Sequence, residues 1–164
     1  MIHALHELVK REDPTVMFLI ETKLLSKKLE HLKFKLGYGH GLFVDCVGRS
    51  GGLGLSWKRN VDTSILSYSN NHIDAVVKGY GGIPSWRLTA VYGCPVPAGK
   101  QKVWNLIRYL QNAMQLPWVC LEDFNEIKSL SEKRGLSDRT GWQMRVFRQL
   151  TYDCGFVDLG YKGF

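Results

Sequence analysis

Residues 86–125, WRLTAVYGCPVPAGKQKVWNLIRYLQNAMQLPWVCLEDFN, pass through both periodicities of regular structure. Trp86–Tyr92 is an apolar run rich in β-branched and aromatic residues and closed by Gly93, which reads as a strand. After Pro95 and Pro97, the residues Val103, Leu106, Ile107, Leu110 and Met114 fall on one stripe of a helix, and Pro117 ends it. Trp118–Leu121 is then a brief buried strand. Strand, helix and strand in succession predict a mixed α/β domain.

The flanking sequence extends that reading. Downstream, a helix is expected near Thr140–Asp153, with Val146, Phe147 and Leu150 on one side. Upstream, strands are expected at Leu42–Cys46, Gly52–Trp57, Val61–Tyr68 and His72–Lys78. Their separators are short and turn-like (Gly48–Gly51, Lys58–Asn60, Ser69–Asn71, Gly79–Gly82), which predicts antiparallel neighbours. Before them, Thr15–Ile20 is a continuous apolar run, as in a strand covered on both faces. It lies between a helix with Ile2, Leu5, Leu8 and Val9 in register, stopped by Asp13-Pro14, and a lysine-rich helix over Leu24–Leu36 ended by Gly37. No repeat or linker interrupts residues 1–164, which are expected to form a single partial domain. Met1 stands almost inside the first helix and Gly-Tyr-Lys-Gly-Phe164 completes no element, so both ends read as fragmentary.

The 164 residues are 45% hydrophobic and 12% aromatic, an ordinary composition for a folded domain. Twenty-two Lys and Arg against 15 Asp and Glu give a net charge of +7. Such a balance suits a polyanionic partner, and it also keeps a small domain soluble. The run Val16–Ile20 is far short of the ~20 apolar residues that span a bilayer, so no membrane association is expected. The N-terminus lacks the apolar core of a secretory signal. Cys46, Cys94, Cys120 and Cys154 are dispersed without a C-x-x-C pair, which disfavours structural zinc and a disulfide framework and favours a reduced, intracellular setting.

Three points fall where strands end, the place where open α/β folds tend to bind ligands. Glu21 follows the Val16–Ile20 run, either as a helix-start residue or as a metal ligand. Asp123 and Asn125 follow Trp118–Leu121; an extended backbone would point both to one face and turn Phe124 into the core, whereas an Asx turn would make them local caps. Tyr92 ends its strand, read most simply as a packed ring with its hydroxyl in water.

The stretches LHELVKREDPTVMFLIETKL, SGGLGLSWK, VDTSILSYSNNHIDAVV, WRLTAVYG, LPWVCLEDFNEI and QMRVFRQLTYDCGFVDLGYKG together resemble the endonuclease/exonuclease/phosphatase superfamily, and within it the endonuclease domain of plant non-LTR (LINE-type) retrotransposons. The resemblance implies a two-sheet, four-layer α/β sandwich, incomplete at both ends, that cleaves phosphate esters with Mg²⁺, or with Mn²⁺ in its place. Position by position it implies that Glu21 holds the metal and Tyr92 contacts the scissile phosphate. Asp123 and Asn125, in EDFNE, match the Asp and Asn of a GDFN signature, which position the attacking water and stabilise the phosphoryl transition state. It further implies DNA, through its phosphate backbone, as partner, and an intracellular location, nuclear if the domain is functional; no protein partner can be inferred.

The departures from the family pattern point to low activity. An Asn of the family's first strand, an Asp of its last strands and a terminal Ser-Asp-His have no counterpart, and none of the five histidines stands in a matching context. Groups of this kind contribute ~10²–10⁴-fold each and fail together when they act as a unit. Glu122 replaces the signature's glycine. It would strain the turn if a positive φ is needed, repel phosphate if it reaches the site, or simply point away into water.

Other features read as ordinary. Gly51-Gly52-x-Gly54 lacks the Lys-Ser/Thr of a phosphate loop and fits a hairpin or close-packed strand. His3 and His6, at i and i+3 on the first helix, have the spacing to share a metal but read more simply as solvent-facing or half-buried histidines. Lys23, Lys27, Lys28, Lys33 and Lys35, with Lys133, Arg134, Arg139, Arg145 and Arg148, form either a phosphate-contacting or a merely solvated surface. Trp57, Trp86, Trp104, Trp118 and Trp142 read mostly as core. Three function classes follow: a degenerate Mg²⁺-dependent endonuclease, a non-catalytic remnant that binds nucleic acid through its basic face, and a small-molecule phosphatase of the same superfamily.

Overall fold

The computed structural model describes residues 2–48, 50–93, 97–132 and 140–160. Cys94, Pro95, Lys133, Arg134 and Arg139 lie outside them, as do residues 161–164. The chain folds as two compact units, residues 1–92 with 116–123, and residues 93–115 with 124–164. No helix among the described residues is long and apolar enough to cross a membrane.

The first unit holds helix α1 (Ile2–Glu12), strand β1 (Val16–Leu19), helix α2 (Ser26–Lys35) and strands β2 (His40–Val47), β3 (Ser50–Trp57), β4 (Thr63–Ser69), β5 (His72–Val77), β6 (Trp86–Tyr92) and β7 (Trp118–Asp123). Among the described residues the strands form two sheets, β1-β3-β2 and β4-β5-β6-β7. Every pairing is antiparallel except β6 with β7, which run parallel.

Alternation sorts the side chains into layers. Leu53, Leu55 and Trp57 of β3 meet Ile73 and Ala75 of β5 and Leu88, Ala90 and Tyr92 of β6 between the sheets, with Val16 and Phe18 of β1 packed against them. The alternate residues of β1, Met17 and Leu19, join Leu29, Leu32 and Leu36 on the helix side. The apolar run Thr15–Ile20 is continuous because both of its faces are packed. Gly54 opens the space on that side, since a Cβ there would stand 3.0 Å from the Phe43 ring. Two facing sheets with helices outside make an α/β sandwich, as expected.

Two local details depart from the sequence reading. The separator Lys58–Asn60 does not join antiparallel neighbours, because β3 is already flanked by β1 and β2 and the chain passes to the other sheet. Helix α2 begins at Ser26 behind Leu25, which offers no side-chain cap. Asp45 of β2 supplies one instead, accepting from the Ser26 amide at 2.5 Å. That bond holds the Asp45 carboxyl below the usual range.

The four-stranded sheet is locked by a buried polar group on its other face. Asp74 accepts from Arg87 Nε at 2.9 Å and Nη2 at 2.8 Å, and from Thr89 Oγ1 at 2.6 Å. Thr89 Oγ1 accepts in turn from Trp118 Nε1 at 2.8 Å. One charge pair and one hydroxyl thus tie β5, β6 and β7 together, and Asp74 and Arg87 are only 1% and 2% exposed. Among the other charged side chains expected at the surface, Lys33 is buried, paired with Glu30 and set over the Phe34 ring.

The second unit contains α3 (Pro97–Ala113) and α4 (Gly141–Asp153). Trp104 of α3, Phe147 of α4 and Phe124 form an aromatic cluster with centroids 4.7–5.8 Å apart. Arg108 and Asp153 join the helices at 3.0 Å. Thr140 caps α4 with a reciprocal bond to Gln143. Trp142, read as core, is instead exposed on the first turn of α4.

Candidate active site

Glu21 sits two residues beyond β1 in left-handed backbone, φ 52°. Helix α2 starts only at Ser26, so Glu21 is not its first-turn acid. Backbone bonds seat the loop on β3: Thr22 N–H donates to Gly52 O and Lys23 N–H to Gly51 O, each at 3.1 Å. Gly51 and Gly52 have φ of 76° and 84°, and a Cβ on Gly52 would stand 2.4 Å from Thr22 Oγ1. The glycine pair is therefore a close-packed strand, as expected, and its bareness is what seats the Glu21 loop. The Glu21 side chain remains 45% exposed.

Tyr92 ends β6 with its ring in the core between the sheets. Its hydroxyl is not left to water: it donates to Glu21 Oε1 at 3.3 Å. Asn71, in the turn between β4 and β5, grips the same residue from the main chain. Tyr92 N–H donates to Asn71 O at 2.7 Å and Asn71 Nδ2 to Tyr92 O at 3.3 Å. No local sequence signal marks Asn71 for this role.

Asp123 is the last residue of β7 and is matched in register with Tyr92. Paired residues of neighbouring strands share a face, so the Asp123 side chain leaves its strand on the same side as that of Tyr92, from backbones about 4.8 Å apart. Glu21, Tyr92 and Asp123 are thus gathered at one end of the sandwich.

Asn125 belongs to the second unit, and its φ of 49° ends the extended backbone on which a shared face with Asp123 was expected. Its Nδ2 donates to Gly93 O at 3.2 Å. Lys100 of α3 donates to its carbonyl at 2.6 Å and to Glu126 Oε2 at 2.5 Å. Phe124 does turn inward, onto Trp104 and Phe147.

Glu122 meets none of its three expectations. It lies in extended β7, opposite Val91, so positive φ is not in question. It faces away from the Asp123 side, yet both carboxylate oxygens are buried without a hydrogen-bond partner among the described residues. Burial pushes its carboxyl well above the usual 4.5, and the neighbouring Asp123 charge adds to this. A raised pKa means that the folded chain keeps a proton that the unfolded chain releases. Stability is therefore full below about pH 4.5 and falls as pH rises toward the folded value. Glu122→Gln should melt higher than the parent at pH 8, with the gap closing by pH 4 in thermal scans across that range.

The donors gathered here are carboxylate and phenol oxygens, and no group of three or more His, Cys, Asp or Glu placed to hold a metal ion occurs among the described residues. Such a set fits a hard cation such as Mg²⁺, which takes one or two carboxylates and keeps its waters, and does not fit a metal held by nitrogen or sulfur.

Two facing sheets with acidic and phenolic groups at their strand ends define a class of α/β sandwiches. This chain belongs to the Endonuclease/Exonuclease/phosphatase family, whose model matches residues 2–163. Solved structures share the fold. An AP endonuclease from Archaeoglobus fulgidus superposes with a TM-score of 0.69 at 17% identity, covering 92% of this chain and 65% of its own. AP endonuclease LMAP from Leishmania major gives 0.67 at 14% identity, with coverages of 92% and 60%. D. rerio TDP2, complexed with single strand DNA product, gives 0.53 at 13% identity, with coverages of 97% and 59%. The chain therefore spans less than two thirds of each of these structures. No curated protein matches its sequence.

Proposed function

We propose that this chain is a Mg²⁺-dependent phosphodiesterase domain that nicks DNA, of the kind found in plant non-LTR retrotransposons, working at low turnover and in the nucleus. The observation that carries the reading is the Tyr92 hydroxyl donating to the Glu21 carboxylate across the two sheets, with Asp123 in register beside Tyr92. Glu21 would hold Mg²⁺, which neutralises phosphate charge when bound. Tyr92, anchored by Asn71, presents an O–H to a phosphate oxygen, and Asn125, as the resemblance implies, is the second group given to the phosphate. Asp123, exposed at the end of β7, accepts the proton of an attacking water. A net charge of +7 suits a polyanionic substrate. Low turnover fits Glu122, which loads the strand carrying Asp123 with a buried, unpartnered acid.

The test is conversion of supercoiled plasmid to open circle by the purified chain, with Mg²⁺ or with EDTA. Nicking in Mg²⁺ that EDTA abolishes is expected, with Mn²⁺ replacing Mg²⁺. DNA binding without nicking in either metal would overturn the enzyme reading in favour of a binding remnant.

A further inference from the structure

We infer that Lys100 is a positioning residue for Asn125. The importance of Asn125 rests on the function proposed above; the geometry does not. Lys100 lies in the first turns of α3, 25 residues before Asn125, and its ammonium is spent on two consecutive residues of one turn. It donates to the main-chain carbonyl of Asn125 at 2.6 Å and to the side chain of Glu126 at 2.5 Å. The side chains of Lys100 and Glu126 are 6% and 2% exposed, so the pair is shielded from water and salt. A lysine buried this deeply is rare unless it is paired.

The turn it grips is one the chain would not hold unaided. Asn125 is one of four non-glycine residues with positive φ among those described. Asparagine tolerates that conformation but does not dictate it. The ammonium fixes the carbonyl on one side of the residue, and Gly93 O fixes the side-chain amide on the other. Gly93 directly follows Tyr92 in the chain. Lys100 therefore sets where the Asn125 amide stands, and Glu126 supplies the charge that makes a buried ammonium tolerable.

A merely structural ion pair predicts something different, and the pair can be replaced without emptying its space. Lys100→Met with Glu126→Met removes both charges and the donor together while keeping volume, an exchange that is often neutral for folding. Lys100→Arg keeps charge and donors. In the ¹⁵N-labelled full chain, with the Asn125 side-chain amide signals assigned by their loss in Asn125→Asp, the double methionine variant is expected to melt near the parent. Its Asn125 amide signals should move away from their positions in the parent, while Lys100→Arg leaves them in place. Plasmid nicking by the double variant should drop to the level of Asn125→Ala, and adding Asn125→Ala to it should cost nothing more.

A folded double variant with unmoved Asn125 signals would overturn the inference. A scalar coupling in the parent between Lys100 ¹⁵Nζ and the Asn125 carbonyl carbon tests the same contact without any variant; it is expected to be present, and its absence would also overturn the inference. Moved signals with nicking indifferent to Asn125→Ala would leave Lys100 as the positioning residue and sink the role given to Asn125.

Discussion

Asp74→Ala should remove about 3–5 kcal/mol of unfolding free energy, the usual cost of stripping one partner from a buried ion pair. That is a large share of the roughly 5–15 kcal/mol by which domains are stable. The side chain accepts three hydrogen bonds, two from Arg87 and one from Thr89, in a sheet face where Arg87 is 2% exposed. Without Asp74 the guanidinium stays buried with its main acceptor gone, and the Thr89 hydroxyl that links β6 to Trp118 of β7 loses its anchor. The loss comes from a buried guanidinium deprived of its counter-charge rather than from the carboxylate as such. Asp74→Leu combined with Arg87→Met should therefore regain most of the stability that Asp74→Ala loses. Urea titrations of the parent, the single and the double variant read both effects, and a double variant as unstable as the single one would contradict this explanation.

The elements legible in the sequence are those whose cause is local. Trp86–Tyr92 is a strand within the bounds read from its composition and the glycine after it. The stripe that holds Phe147 and Leu150, both buried, marks α4 in the same way, while its Thr140 cap emerges only in the structure. Position at a strand end singles out Glu21, Tyr92 and Asp123, and the structure brings these three to one end of the sandwich.

The features that escape the sequence depend on pairs far apart in the chain. Asp74 meets Arg87 only because β5 and β6 are in register, and Lys100 meets Glu126 across 26 residues. Nothing local distinguishes this lysine or this arginine from a solvated one. The link Lys58–Asn60 resembles a hairpin turn, but which sheet takes the next strand depends on β1, much earlier in the chain, having filled the open edge of β3. The shared face expected of Asp123 and Asn125 requires extended backbone, whereas Asn125 stands in a left-handed turn held from α3. Burial of Glu122 is illegible for the opposite reason, since charge argues for the surface and the strand's register puts it inside.

The second large effect is on catalysis. Glu21→Ala removes the carboxylate that would hold Mg²⁺ and the acceptor of the Tyr92 hydroxyl; Asp123→Ala removes the group given to the water. A positioned proton acceptor contributes ~10²–10⁴-fold, so either change should bring nicking to the background of buffer alone. Neither should unfold the protein, because Glu21 is 45% exposed and Asp123 ends its strand in an exposed position. Circular dichroism and melting of the two variants should accordingly match the parent. The measurement that bears most directly on the function proposed is the nicking rate on supercoiled plasmid in Mg²⁺ for the parent beside folded Glu21→Ala and Asp123→Ala. The prediction is slow nicking by the parent and none above background by either variant; equal rates in all three would contradict it.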